Sequence, residues 1–302
     1  MKGKKVLVIG GAGFVGSHLC ERLVESGNEV VSIDNYFTGS ERNHISGVRY
    51  YPYATHDLPN TPFVYERNFD IVYHLGEYSR VEQSFKDIRL VHKYNTQGTF
   101  QVLEYIRDTG AKLIYAGSST KFSDSGANGS PYAFTKAQNT QLVMNYGKWF
   151  NIDYAITYFY NVYGGREIKD GKYATLIALF KDSIEKGQKL NIVSPGTQKR
   201  NFTHIDDIIE ALVLIGEKGE GDGYGIGSDE SYSVLEVAEM FGGQIKMLPE
   251  RQGNRMNCDL VTDKTKDLGW IPIHSLNKYI SDSKNKKKFK NKKIRKKYKL
   301  CK

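Results

Sequence analysis

The sequence predicts an α/β fold in which a doubly wound parallel sheet is followed by a smaller C-terminal α/β region. Short apolar runs rich in β-branched residues alternate with amphipathic helical patterns through the first half of the 302 residues. This alternation is typical of a parallel sheet with helices on both faces. A glycine-rich turn follows the first apolar run. Beyond about residue 165 the pattern changes to isolated helices separated by glycine-rich turns.

The predicted elements of the first part follow one another in regular order. A continuous apolar run predicts a strand because both faces of a parallel sheet are buried. An apolar period of about 3.6 residues predicts a helix. The predicted strands are 5–10, 29–34, 69–76, 111–119 and 152–160. The predicted helices are 18–27, 79–86, 90–109 and 133–149.

The second part and the C-terminal tail differ from the first part in pattern and charge. Residues 1–165 are predicted to form the first domain, to which some later segments can return. Residues 166–283 are predicted to form the second region, with helices expected at 173–187, 205–217 and 233–241. Residues 284–302 hold 12 Lys and Arg and no acid, whereas the rest has 31 basic and 34 acidic residues. The tail is predicted to be disordered. We expect no nucleic-acid partner, and a weak contact of the tail with an anionic surface stays open.

The cysteines and the apolar segments indicate the compartment. Cys20, Cys258 and Cys301 are an odd number at unrelated spacings, which favours neither a disulfide framework nor a zinc cluster. No segment approaches the roughly 20 apolar residues that span a bilayer. We therefore expect a cytoplasmic protein without a metal site.

A nucleotide site is predicted at the first turn of the sheet. Gly10 allows a tight turn, Gly13 lets a pyrophosphate approach the helix N-terminus, and Gly16 lets helix and strand pack closely. The next strand ends at Asp34, whose carboxylate can accept hydrogen bonds from a ribose and would repel a 2′-phosphate. This spacing indicates a Rossmann-type sheet that binds NAD rather than NADP.

A proton-transfer pair is predicted at Tyr132 and Lys136, which lie one turn apart on one helix face after a Ser-Pro break. A phenol is a poor base at neutral pH, but an ammonium group one turn away favours the phenolate. Ser118 and Ser119 follow a central strand, and ligands bind at the carboxyl ends of strands in such sheets. These hydroxyls can hold the alcohol whose proton the tyrosine removes.

Together these motifs resemble those of the extended short-chain dehydrogenase/reductase family, in particular its nucleotide-sugar epimerases and dehydratases, over about residues 4–275. The resemblance implies that Tyr132 is the catalytic base and acid, and that Lys136 tunes it and binds the nicotinamide ribose. It implies that Ser118 hydrogen-bonds the reacting oxygen, with Ser119 as the alternative. It also implies a homodimer built on a helix bundle that includes the helix of Tyr132.

The family pattern implies further contacts with NAD and with a nucleotide-sugar substrate. The implied cofactor contacts are Gly10, Gly13, Phe14, Val15, Gly16, Asp34, Asn35, Asp57, Leu58, Leu75, Gly76, Tyr132 and Lys136. The implied substrate contacts are Ser118, Ser119, Asn161, Arg200 and Arg251. Arginine suits the nucleotide diphosphate because its planar fork can bond two phosphate oxygens. Asn95 would be a structural polar residue behind the site, and residues 166–283 would bind the nucleotide sugar.

The residues after Ser118 bear on the reaction. Family dehydratases carry an Asp-Glu pair there, whereas this sequence has Ser119 and Thr120, which cannot supply the acid and base for loss of water. The resemblance therefore favours an NAD-dependent 4-epimerase, similar to UDP-glucose 4-epimerases, that acts through a transient 4-keto sugar. A C4 dehydrogenase or a 4,6-dehydratase stays the enzymatic alternative. A dinucleotide sensor without turnover is the alternative from another class.

Two charged residues depart from the family pattern after the strand predicted at 69–76. The segment HLGEYSRVEQS carries Glu77 and Arg80 where many family members have small residues. Arg80 either reaches the sugar or its phosphate or is exposed, and the sequence leaves both alternatives open.

Overall fold

The computed structural model describes residues 1–251, 256 and 258–285. The basic tail from residue 286 onward therefore lies outside the described residues. Within the described part, the strands are β1 (Lys5–Ile9), β2 (Glu29–Ile33), β3 (Val48–Tyr51), β4 (Ile71–His74), β5 (Lys112–Ala116), β6 (Tyr154–Phe159), β7 (Val162–Tyr163), β8 (Leu190–Val193), β9 (Lys199–Asn201), β10 (Thr203–His204), β11 (Gly221–Ile226), β12 (Ser231–Ser233) and β13 (Ile245–Leu248).

The described helices vary from single turns to a helix of 20 residues. They are α1 (Phe14–Glu25), α2 (Val81–Ser84), α3 (Ile88–Val91), α4 (Gly98–Thr109), α5 (Pro131–Phe150), α6 (Leu176–Lys186), α7 (Ile205–Lys218), α8 (Val234–Phe241) and α9 (Asp263–Lys266). Residues 276–285 are also helical. A π-helical turn, His92–Gln97, connects α3 to α4, so the helix predicted at 90–109 is a composite of three segments.

Seven parallel strands form the main sheet in the order β11-β6-β5-β4-β1-β2-β3. The predicted fold class, a doubly wound parallel sheet, is confirmed. The sequence pattern does not predict strand β3. It lies at the sheet edge and its side chains are only half-buried or exposed, so its sequence, VRYY, lacks the continuous apolar run of a central strand.

Helices cover both faces of the main sheet. On one face, α1 and α7 pack against the sheet through residues such as Leu19, Leu23 and Ile208. On the other face, α4 and α5 contribute residues such as Val102 and Val143. Burial of both faces explains why the central strands are continuously apolar.

The second region is interleaved with the first. Among the described residues, three two-stranded sheets, β7 with β10, β8 with β13 and β9 with β12, lie outside the main sheet. Helices α6 and α8 enclose a separate core with residues such as Phe180 and Phe241. Between these elements the chain returns to the main sheet through α7 and β11, and β11 pairs with β6. No helix in the described ranges is both long and apolar enough to cross a membrane.

Candidate active site

A cavity of about 580 Å³ opens at the carboxyl ends of the central strands, where ligands bind in doubly wound sheets. The turn after β1 and the start of α5 both border it. The predicted site residues that line this cavity are Gly10, Gly13, Phe14, Val15, Gly16, Asp34, Asn35, Leu75, Gly76, Ser118, Ser119, Tyr132, Lys136, Asn161 and Arg200. The fold thus brings most of the residues singled out in the sequence to one place.

The glycine turn has the backbone geometry that its sequence predicts. Gly10 has φ +87°, which favours glycine, and a Cβ on Gly16 would lie 2.0 Å from the Gly10 carbonyl oxygen. The first intrahelical donor of α1 is the Ser17 N–H, which bonds the Gly13 carbonyl. The preceding N–H groups of α1 have no carbonyl one turn back within the helix and border the cavity, so they suit an anion such as a pyrophosphate.

Asp34 ties the end of β2 to the glycine turn. Its carboxylate accepts hydrogen bonds from the N–H of Ala12 at 2.9 Å and of Tyr36 at 2.8 Å. Burial raises the pKa of Asp34 above the ordinary carboxyl value, and these two N–H donors offset part of that effect. A carboxylate offers about four acceptor positions, and the backbone donors do not occupy all of them, so the residues present fit the adenosine ribose of NAD beside its pyrophosphate.

We expect Asp34→Asn to weaken NAD+ binding by about 10- to 100-fold, the effect of a hydrogen bond to a charged group. NADP+ should lose less affinity, because the negative charge that repels its 2′-phosphate is removed. Titration calorimetry with both dinucleotides measures the two dissociation constants. Asp108→Asn, an exposed carboxylate at the end of α4, is the control. Unchanged discrimination between the dinucleotides in Asp34→Asn would contradict the assigned role.

Tyr132 and Ser118 share the other end of the cavity. Tyr132 is 9% exposed, and no described residue hydrogen-bonds its hydroxyl, which borders the cavity. The Ser118 oxygen accepts hydrogen bonds from the Thr120 hydroxyl at 3.0 Å and the Thr120 N–H at 3.3 Å. The hydroxyl proton of Ser118 is therefore available to an oxygen of a bound molecule.

Lys136 forms an ion pair with a carboxylate, and the sequence alone does not show which acidic residue supplies it. Its Nζ donates to the Ala116 carbonyl at 2.6 Å and to the Glu77 carboxylate. The side chains of Glu77 and Lys136 are only 2% and 6% exposed. The two side chains thus form a buried ion pair between the end of β4 and α5.

Glu77 has further partners that fix its carboxylate. It accepts hydrogen bonds from Asn139 Nδ2 at 2.7 Å and from Thr99 Oγ1 at 2.8 Å. Burial by itself would raise the pKa of Glu77, but Lys136 together with its other neighbours, among them the Thr99 hydroxyl, outweighs burial and holds that pKa below its ordinary value. Burial lowers the pKa of nearby His74 to about 4, so His74 is neutral at pH 7. Glu77 and Lys136 therefore carry the charges of this network.

Asn95 joins the segment after β4 to α5. Its side-chain amide accepts from the Tyr78 N–H at 2.7 Å and donates to the Tyr78 carbonyl at 3.2 Å and to Thr135 Oγ1 at 3.1 Å. Asn95 is fully buried in the π-helical turn. These bonds support the predicted structural role and hold the backbone next to Glu77.

Three predicted contacts lie away from the cavity wall. Leu58 is buried in the core beneath α4, and the Asp57 side chain is largely exposed next to His56. The wall at this end is formed by Tyr53, Ala54 and Thr55. Arg251 is exposed and pairs with Glu82 at 2.7 Å. The roles of Asp57 and Leu58 near adenine and of Arg251 at a phosphate stay predictions.

Two carboxyl groups on the cavity wall were not assigned a role from the sequence. The sequence marks Glu77 only as a departure from the family pattern, and no motif includes Glu167. Burial raises the pKa of Glu167, whose carboxylate accepts from the Thr175 hydroxyl at 2.6 Å and the Gly164 N–H at 3.1 Å. An acidic residue directly after a buried apolar strand was the available signal for Glu77, because a buried carboxylate needs a partner.

Comparison with known proteins agrees with this arrangement. The model of the NAD dependent epimerase/dehydratase family matches residues 6–227. UDP-glucuronic acid decarboxylase 1 of Danio rerio is 28% identical, over 89% of this chain and 69% of its own length.

Solved structures resemble this chain over nearly its whole length. UDP-glucose 4-epimerase from Thermotoga maritima, with UDP-glucose, has a TM-score of 0.85 and 25% identity over 91% of this chain and 96% of its own. UDP-glucuronic acid 4-epimerase from Bacillus cereus, in complex with UDP-glucuronic acid and NAD, has a TM-score of 0.83 and 28% identity over 92% and 96%. NAD is therefore confirmed as the cofactor. The family match covers the glycine turn, Asp34 and the Tyr132–Lys136 pair, and the chain belongs to the NAD dependent epimerase/dehydratase family.

Proposed function

We propose that this protein is an NAD-dependent nucleotide-sugar 4-epimerase that acts through a transient 4-keto sugar. The observation that carries the proposal is a single cavity in which the glycine turn and Asp34 face Ser118, Tyr132 and Lys136. Bound next to the glycine turn and Asp34, NAD+ would supply the hydride acceptor for the sugar C4 hydrogen and, once reduced, the hydride donor for its return. The residues of the chain then have to position the sugar, exclude water and move one proton.

The proton moves between the C4 hydroxyl and Tyr132. Ser118 donates a hydrogen bond to the same sugar oxygen, and Lys136, fixed by Glu77 and the Ala116 carbonyl, lies one helical turn from Tyr132. Tyr132 takes the C4 hydroxyl proton when the ketone forms and returns it when the alcohol is restored.

Substrate binding is assigned to the other end of the cavity. Asn161, between β6 and β7, and Arg200 on β9 both border it. They would hold the nucleotide diphosphate while the keto sugar turns its opposite face to the cofactor. Arg251 is kept as a third phosphate ligand, which requires that it leave Glu82 when the nucleotide binds.

The side chains near Ser118 favour epimerisation over dehydration. Thr120 donates its hydroxyl proton to Ser118, and Ser119 has no acidic group. The cavity carboxylates Glu77 and Glu167 are both bonded to protein donors. Elimination of water needs an acid and a base near C5 and C6. Both carboxylates already accept hydrogen bonds from protein groups, so neither is placed to act as that acid or base.

Decarboxylation is a second candidate, favoured by the likeness to a UDP-glucuronic acid decarboxylase. Oxidation at C4 of a sugar with a carboxylate at C6 gives a β-keto acid, which loses CO2 readily. The same Tyr132 and Ser118 would serve that oxidation. The two reactions share the first step and differ in the fate of the ketone.

The test is incubation of the NAD-loaded protein with paired UDP-, GDP- and dTDP-linked hexoses and hexuronic acids, followed by NMR of the sugar. A C4 epimer supports the proposal. A pentose with release of CO2 identifies a decarboxylase, and an accumulated keto sugar identifies a C4 dehydrogenase or dehydratase. No change in any sugar would leave the dinucleotide sensor as the better description.

We also propose a homodimer formed through α4 and α5. Phe134 and Trp149 on α5 are 50% and 61% exposed, and Phe100 on α4 is also exposed, so both helices present large apolar side chains that an interface would cover. We expect light scattering to give twice the chain mass of 34.3 kDa for the wild type and a single chain mass for Phe134→Glu. Ile271→Glu, exposed elsewhere, should stay dimeric. A wild type of single mass contradicts the proposal.

The cytoplasm stays the proposed location. Cys20 is a buried free thiol, and a reducing compartment keeps thiols in this state.

A further inference from the structure

Arg80 lies on the cavity wall between β4 and α2, and neutral groups hold its guanidinium. Its Nε donates to the Tyr173 carbonyl at 2.8 Å. Its Nη1 donates to the Ser79 carbonyl at 2.9 Å and to the Ser79 hydroxyl at 3.1 Å. Within the described chain, no hydrogen bond is made by Nη2, which carries two further N–H donors. The guanidinium is thus fixed in place with donors left for a bound molecule.

The carboxylates around Arg80 are bonded to other groups. Glu77 pairs with Lys136, and Glu82 pairs with Arg251. Glu167, which is within electrostatic range of Arg80, accepts its hydrogen bonds from Thr175 and Gly164. Among the described residues, Arg80 therefore has no ion-pair partner.

Arg80 is half-buried, and a partly desolvated guanidinium without an anion beside it is an unfavourable arrangement. Burial lowers the pKa of Arg80 below its usual value, although Tyr132 and Glu167 act in the opposite direction. Arginine nevertheless stays protonated at neutral pH. An anion bound in the cavity next to Arg80 would recover the electrostatic energy that desolvation removes.

The position of Arg80 distinguishes between the two anionic groups that a nucleotide sugar can carry. Asn161 and Arg200 are assigned to the diphosphate. Arg80 is an electrostatic neighbour of Tyr132, the residue that acts at C4. A hexuronic acid has its C6 carboxylate on C5, the carbon next to C4. The carboxylate is therefore the anionic group nearest to the reaction centre.

We propose that Arg80 binds the C6 carboxylate of the sugar and that the substrate is a nucleotide-linked hexuronic acid. This inference rests on the proposed function, because it takes C4 of a nucleotide sugar to lie at Tyr132. It makes Arg80 a specificity-determining residue: a neutral hexose leaves the guanidinium unpaired, whereas a hexuronate neutralises it.

The test compares dissociation constants on the NAD-loaded protein by titration calorimetry. The ligands form two series: UDP, UDP-glucose and UDP-glucuronic acid, and GDP, GDP-mannose and GDP-mannuronic acid. If UDP binds more tightly than GDP, the hexose and the hexuronate of the UDP series are compared; if GDP binds more tightly, those of the GDP series are compared. We expect the hexuronate to bind about 10- to 100-fold more tightly than the hexose, as for a charge-assisted hydrogen bond. Arg80→Gln should abolish that ratio and leave the free diphosphate and the hexose unchanged.

Two further variants act as controls. Arg89→Gln, an exposed arginine on α3, should keep the wild-type ratio. Arg80→Lys should keep part of it, which separates loss of charge from a local packing defect. Equal affinity of the wild type for hexose and hexuronate would overturn the inference. A loss of free diphosphate binding in Arg80→Gln would also overturn it, because the anion at Arg80 would then be the diphosphate.

The affinity measurement needs no turnover, so it separates this inference from the proposed reaction. If the protein prefers the hexuronate but forms no C4 epimer, the inference about Arg80 stands and the proposed epimerase reaction is wrong. If the protein epimerises its substrate but binds hexose and hexuronate with equal affinity, the proposed reaction stands and the inference about Arg80 is wrong.

Discussion

Replacing Tyr132 with phenylalanine is expected to lower kcat by about 10²- to 10⁴-fold, the usual contribution of a positioned proton-transfer group. The change removes only a hydroxyl that faces the cavity and makes no hydrogen bond to a described residue, so the fold and the binding of NAD+ should be retained. Initial rates of sugar conversion, followed by NMR on the best substrate of the panel, measure the loss. Calorimetry with NAD+ shows that the site is intact.

Tyr78→Phe is the matched control for Tyr132→Phe. Tyr78 borders the same cavity, but its hydroxyl donates to Asp87 at 2.9 Å and has no role in the proposed proton transfer. We expect its kcat to stay close to that of the wild type. Equal turnover in Tyr132→Phe and the wild type would falsify the assignment of Tyr132 as the base.

Replacing Glu77 with alanine is expected to lower the free energy of unfolding by about 3–5 kcal/mol, because Lys136 would be left as a buried charge without its partner. Asn139 and Thr99 would also lose their common acceptor. Urea unfolding followed by circular dichroism measures the change. This is the largest effect on stability that we expect from a single residue of the site.

The controls for Glu77 separate buried charge from surface charge. Glu82→Gln breaks an ion pair with Arg251 in which both side chains are more than 40% exposed, and such pairs contribute about 0–1 kcal/mol. Glu77→Gln keeps the size of the side chain and one carbonyl acceptor, so its effect should fall between those of Glu82→Gln and Glu77→Ala. If Glu77→Ala costs no more than Glu82→Gln, the buried ion pair does not stabilise the fold.

The pH dependence provides an independent measure of the same ion pair. Because Lys136 holds the pKa of Glu77 below its ordinary value, the pair contributes fully above the unfolded-state pKa of about 4.3. The contribution is lost as the pH falls through the lower folded-state pKa. The difference in unfolding free energy between the wild type and Glu77→Gln should therefore be constant from about pH 5 to 8 and shrink in more acidic solution.

The local parts of the site could be predicted from the sequence. The glycine turn, Asp34 and the Tyr132–Lys136 pair depend on short spacings within a strand, a turn or a helix, and those spacings fix geometry directly. The central strands could be predicted for the same reason, since burial on both faces makes them continuously apolar.

The partnerships between distant segments could not be predicted in this way. Glu77 and Lys136 are 59 positions apart, and neither spacing nor composition shows that the two side chains meet in the interior. Arg80 is fixed by the carbonyl of Tyr173, 93 positions away. Such contacts depend on how loops follow the strands, and the sequence pattern alone leaves both buried and exposed placements open.

The return of the chain to the main sheet through α7 and β11 limits how this protein can be divided. A single cut near residue 165 would remove β11, so β6 would become an open edge whose N–H and C=O groups invite pairing with other chains. The same cut would uncover the apolar face that α7 covers. The two regions are therefore not modules that recombination can exchange at one junction, and any transplant of the second region requires several junctions.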